Sequence, residues 1–172
     1  SGDIIFEKEA NKERPIASLV KIMTAVVALE HKDLDDKFYV SRQTDYIGEN
    51  SMGLSANEIY TLEELLYGLV LASGNDAAYA IAEGVAGDSE RFTEWMNFKA
   101  EELNLDNTYF ADPSGLDDGS YSTPEDLVKL TNYALKNEAF KKIVSTVEHE
   151  IYNDGDNKYV YLYNQTNLLT TY

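Results

Sequence analysis

The chain has 172 residues, of which 44% are apolar and 12% aromatic with only 3 prolines, a composition that supports a single packed domain over 1–172 and excludes an intrinsically disordered chain. Lys and Arg number 14 against 31 Asp and Glu, and the formal charge of −17 repels phosphate backbones and anionic lipid surfaces, so no nucleic-acid partner is expected. No cysteine is present, which removes disulfides, thiolate nucleophiles and Cys-ligated metals, and no apolar run reaches the roughly 18 residues of a membrane span.

In chain order, residues 3–9 read as a short strand entering a polar turn at Ala10 to Arg14, with Pro15 positioning the next element. From Ser18 to about His31 the run is apolar on nearly all sides and too long for a buried strand, which predicts a buried central helix with His31 and Lys32 at its C-terminus. A polar loop over 33–37, a short strand at Phe38 to Ser41 and a looser Ser-, Gly- and Asn-rich stretch over 42–57 follow. Thr61-Leu-Glu-Glu64 is a capping box that starts a helix through Leu71, and Ser73-Gly-Asn-Asp76 interrupts before an Ala-rich helix over 77–86.

Gly87-Asp88 or Ser89 caps a third helix to about Leu103, with Phe92, Trp95, Met96 and Ala100 on one face as core. Residues 104–123 lack a helical period and hold the turn-rich loop Asp112-Pro-Ser-Gly-Leu-Asp-Asp118. Thr123 with Pro124 and Asp126 signals a helix to about Asn137, a short helix spans 138–144, and strand-like runs at 146–152 and 158–164 form a hairpin around Asn153 to Asn157. That turn superficially resembles a calcium loop but lacks the distal bidentate Glu, so no metal site is expected; Asn164-Gln-Thr166 matches a glycosylation sequon of a kind that arises often by accident.

Ser18 and Lys21 are three apart at a helix start, which puts both side chains on one face about one turn apart. A serine hydroxyl is a poor nucleophile until a base takes its proton, and a neutral lysine amine within reach is such a base. Lowering a lysine from about 10.4 towards 7 or 8 needs about 4 kcal/mol of bias against the charged form, which burial between Leu19, Val20, Ile22 and Met23 can supply. The four-residue pattern is common by chance, and taken alone it more often describes a capping serine beside a solvated lysine. A lysine inside an apolar helix argues against that reading, because an unpartnered buried charge is costly. Ser73 and Asn75, presented from a turn between two helices, add a hydroxyl that can relay a proton and an amide that can hold Lys21 or a substrate carbonyl.

At these residues the sequence resembles the D-alanyl-D-alanine carboxypeptidases among the low-molecular-mass penicillin-binding proteins. Pro15-Ile-Ala-Ser-Leu-Val-Lys-Ile-Met-Thr-Ala25, Thr61-Leu-Glu-Glu-Leu-Leu-Tyr-Gly-Leu69, Leu71-Ala-Ser-Gly-Asn-Asp-Ala-Ala78, Asp112 to Asp118 and Tyr121-Ser-Thr123 carry the similarity over essentially the whole chain. The resemblance implies an α+β fold of beta-lactamase/transpeptidase type, a mainly helical body with an incomplete antiparallel sheet. It also implies Ser18 as nucleophile, Lys21 as general base, Ser73 as proton relay and Asn75 as substrate-orienting amide. The implied substrate is the D-Ala-D-Ala end of peptidoglycan stem peptides, with beta-lactams as inhibitors, no cofactor and an extracytoplasmic location on the cell-wall face of the membrane.

Two departures stand out. Val20 occupies a position where the family usually has Thr, and the sequence contains no Lys-Thr-Gly, the third family motif, which lies on the strand that anchors the substrate carboxylate and gives one oxyanion-hole N–H. The expectation is a chain truncated at both ends, poorly active alone, with an exposed sheet edge open to pairing with another copy or chain. Alternatives are a class A beta-lactamase, for which Glu101 is the nearest candidate for the water-activating acid, and an inactive peptidoglycan-binding module.

Overall fold

A computed structural model describes residues 6–153 and 158–166. Its centre is helix α1 (Val20–His31), entered through a 3-10 turn at Ala17–Leu19. Val20, Met23, Ala25, Val27 and Ala28 on this helix are fully buried. Around it pack α3 (Leu62–Leu71), α4 (Asn75–Ala86), α5 (Ser89–Glu102) and α6 (Pro124–Ala134), which is why a helix apolar on nearly all sides is stable there. The ends are set by local chemistry. Thr61 and Glu64 make the reciprocal capping box of α3, Asp88 caps α5 through Arg91 N, and Thr123 caps α6 with Pro124 at its first position.

The strands are short and antiparallel: β1 (Arg14–Pro15) pairs with β4 (Tyr121–Ser122), β2 (Lys37–Tyr39) with β3 (Ile59–Thr61), and β5 (Glu148–Asn153) with β6 (Lys158–Tyr163). Among the described residues the sheet is thus three separate two-stranded pairs on a helical body, the α+β class the sequence implied. In the last pair Ile151, Val160 and Leu162 alternate inward against α3 while Tyr159, Tyr161 and Tyr163 face out, and His149 stacks on Tyr67 with ring centroids 3.6 Å apart.

Several boundaries differ from the sequence reading. Residues 6–9 are not a strand, because the first ladder forms only where β4 offers a partner; residues 3–5 lie outside the described residues. The looser stretch contains the short helix α2 (Arg42–Asp45), capped by Ser41, and it ends just before β3, which tertiary pairing with Lys37 to Tyr39 creates. Helix α6 stops at Ala134, three residues short, because Asn137 caps the next helix, α7 (Glu138–Val144). The core face of α5 is as read for Phe92, Met96 and Ala100, while Trp95 is only partly covered and stacks on His31. The hairpin turn at 154–157 lies outside the described residues.

Candidate active site

Ser18 sits in the 3-10 turn at the N-terminal end of α1, exposed, while Lys21 one turn later is 5% exposed. Lys21 Nζ lies 3.2 Å from Ser18 Oγ and donates to Asn75 Oδ1 and to the Ser114 carbonyl, each at 2.8 Å. These three partners account for the three hydrogens of the ammonium. In the neutral amine only two remain, and the two oxygens that can only accept, Asn75 Oδ1 and Ser114 O, take them, which leaves the lone pair aimed at the Ser18 hydroxyl. Burial lowers the Lys21 pKa from its ordinary 10.5 to about 8, against the opposing pull of the Asp112 and Asp76 carboxylates.

Ser73 approaches from the turn between α3 and α4, and its hydroxyl donates to Ser18 Oγ at 3.1 Å. Among the described residues Ser73 makes no hydrogen bond to Lys21, so it reaches the base through Ser18. A donor on Ser18 Oγ stabilises the negative charge that develops there when the proton leaves. Ala17 and Ser73 both hold positive φ, 44° and 53°, in the left-handed region that non-glycine residues adopt at a cost of about 1–3 kcal/mol each. The two strained residues bring the two hydroxyls together.

Asn75 opens α4 and is 4% exposed. Its backbone N–H donates to Asn50 O at 2.8 Å and its side-chain N–H to Gly48 O at 3.3 Å, so the carboxamide is oriented with its oxygen towards Lys21. The neighbouring Asp76 carboxylate, buried at 2% exposure, accepts from Ser51 Oγ and from the amides of Met52, Gly53 and Leu54, pinning that loop to the start of α4. On the other side of Lys21 the 112–117 loop is gripped by α1, with Thr24 Oγ1 donating to Pro113 O at 2.6 Å. Sequence reasoning missed Thr24, Asp76, Asp112 and the Ser114 carbonyl. The available signal was Thr24 lying three residues after Lys21 on the same face of an otherwise apolar helix.

The structure therefore brings Ser18, Lys21, Ser73 and Asn75 into one cluster. Ser18, Lys21 and Ser73 open on a cleft of about 440 Å³, walled by apolar side chains of α1, α3 and α7 including Ile22, Val70 and Phe140 and lined also by Asn164 and Thr166. Asn164 is buried and its side-chain N–H donates to Thr146 O, which leaves the sequon without an exposed acceptor. Glu101 is exposed in the last turn of α5 and takes no part in the hydrogen bonds of the site. Among the described residues no group of three His, Cys, Asp or Glu is placed to hold a metal, and no helix is long and apolar enough to cross a membrane.

A family model described as D-alanyl-D-alanine carboxypeptidase matches residues 1–172. The chain is 35% identical to a D-alanyl-D-alanine carboxypeptidase of Bacillus subtilis over 178 aligned positions, covering 100% of this chain and 46% of that protein. It is 36% identical to one of Streptomyces sp. strain K15, covering 85% of this chain and 55% of that protein. Among solved structures, a D-alanyl-D-alanine carboxypeptidase of Mycobacterium tuberculosis superposes with a TM-score of 0.93 at 32% identity, covering 100% of this chain and 65% of that one. The DD-transpeptidase of Streptomyces K15 superposes at 0.91 with 33% identity, covering 98% and 71%. The chain spans about half the length of the curated relatives it matches.

Proposed function

The chain belongs to the D-alanyl-D-alanine carboxypeptidase family, and from that premise we propose that Ser18 is acylated by the penultimate D-Ala of peptidoglycan stem peptides. Lys21 takes the Ser18 proton, Oγ bonds to the carbonyl carbon, the peptide C–N bond breaks, and the proton passes to the departing D-Ala amine with Ser73 on its path. Water then hydrolyses the ester, and beta-lactams acylate the same oxygen. The observation that carries this reading is the buried Lys21 amine, held by two acceptors and within 3.2 Å of Ser18 Oγ. Peptidoglycan lies outside the cytoplasmic membrane, so the proposed location is the cell-wall face.

The 172-residue chain contains no Lys-Thr-Gly, and loss of one oxyanion donor typically costs about 100- to 1000-fold in rate, so this polypeptide alone is proposed to acylate slowly. Mass spectrometry after incubation with a labelled penicillin tests the assignment. The expected result is a slowly accumulating, long-lived adduct on Ser18 that Ser18→Ala abolishes. Rapid stoichiometric labelling overturns the impairment, an adduct elsewhere or none overturns Ser18, and rapid penicillin turnover favours a beta-lactamase.

A further inference from the structure

We propose that Asp112 is a positioning residue for Lys21, acting through the single peptide unit that joins Ser114 to Gly115. The inference rests on Lys21 as the base and adds the group that keeps its lone pair on Ser18.

In a trans peptide the carbonyl and the N–H point in opposite directions. Here the Ser114 carbonyl accepts from Lys21 Nζ at 2.8 Å, while the N–H of the same unit, on Gly115, donates to Asp112 Oδ1. Lysine and carboxylate thus grip one peptide plane from its two ends. Asp112 is 6% exposed and accepts further bonds from Ser114 N at 2.7 Å, Ser114 Oγ at 3.3 Å and Asp117 N at 2.6 Å, so its own orientation is determined by the loop it closes. The negative carboxylate also polarises the peptide towards a stronger carbonyl acceptor.

Two contacts tie this plane to the nucleophile. Thr24 Oγ1 holds the preceding carbonyl, on Pro113, from the same face of α1 as Lys21. Gly115 sits at φ +84°, and a Cβ there would lie 2.1 Å from the Ala17 carbonyl oxygen, so the loop rests directly on the turn that presents Ser18. A neutral lysine amine with only the Asn75 acceptor fixed could rotate and turn an N–H towards Ser18 in place of its lone pair. Fixing the second acceptor removes that rotation. The charged groups facing Lys21 are Asp112 and Asp76, and the Tyr79 phenol on α4 faces Asp112 and Ser114.

The test compares wild type with Asp112→Asn, which keeps the shape and removes the charge, by the pH dependence of Ser18 acylation under labelled penicillin. The expected result is a plateau rate at alkaline pH lowered by about tenfold or more, with the acid limb moved to lower pH because a negative neighbour of Lys21 is gone. A plateau within about twofold of wild type per folded molecule, whether with a shifted limb or a lowered melting temperature, overturns the proposal. A second measurement needs no variant and no acylation. In wild type the Gly115 amide and Ser114 carbonyl NMR shifts are expected to titrate with the midpoint of the Lys21 side chain, and shifts that ignore that titration overturn the proposal. If penicillin fails to label wild type at all, the acyl-enzyme reading falls, and this coupling alone decides whether Asp112 holds Lys21.

Discussion

Lys21 concentrates the chemistry of the site in one amine. Its folded-state pKa of about 8 lies below the ordinary 10.5, so between those values the unfolded chain binds more protons than the folded one. The cost of burying charged Lys21 is therefore fully present below about pH 8 and disappears as pH rises towards 10.5. The difference of about 2.5 units corresponds to about 3 kcal/mol. Urea unfolding of wild type and Lys21→Met at pH 7 and pH 10.5 should show the stability difference moving in favour of wild type by about that amount, and a pH-independent difference would contradict the burial argument. The side-chain pair itself was legible because three-residue spacing on a helix implies proximity. The two acceptors that orient the amine were not, since they come from residues 54 and 93 positions away.

Among the elements, the starts of α3 and α6, closed by local caps at Thr61 and Thr123, were read correctly, whereas the equally local caps at Ser41 and Asn137 were missed. The box at Thr61 is complete, with Glu64 N donating to Thr61 Oγ1 at 3.3 Å and Thr61 N to Glu64 Oε2 at 2.7 Å, and it joins the end of β3 to α3. Thr61→Ala should cost about 1 kcal/mol, read as a lower urea midpoint with an unchanged slope. The three-residue strands β2 and β3 carry no pattern long enough to recognise, and their existence depends on pairing across some twenty residues of chain. Asn75 shows the same limit at a helix start. The Ser73-Gly74 break was visible, but that α4 begins on Asn75 is fixed by its amide bonding to Asn50 O in a distant loop.

For the molecule as a whole, α1 is the keel of the body, with four other helices packed on it. Met23 is fully buried at its middle, so Met23→Ala should destabilise by about 2–5 kcal/mol and lower the thermal midpoint by at least several degrees. A second long-range tie joins the hairpin to the loop beside the site, where the Lys158 ammonium meets the nearly buried Glu58 carboxylate at 2.7 Å and Tyr60 OH donates to the same carboxylate. Removing one partner of such a pair leaves the other charge poorly solvated, so Lys158→Met should cost about 3 kcal/mol and loosen the hairpin first, measurable as faster amide exchange in β5 and β6.

The sequence by itself determined the order of the longer helices, the caps at Thr61 and Thr123, the hairpin and the closeness of Ser18 to Lys21, because periodicity and capping act within a few residues of chain; Ser73 and Asn75 were tied to that pair by the family resemblance. Only the tertiary structure decided the breaking of the sheet into three short pairs, the strained turns at Ala17 and Ser73, and the carbonyl of Ser114 as the second acceptor for Lys21. Backbone carbonyls look alike in any sequence. Which of them meets a buried amine depends on how the loop closed by Asp112 packs against α1, a long-range arrangement that no local pattern encodes.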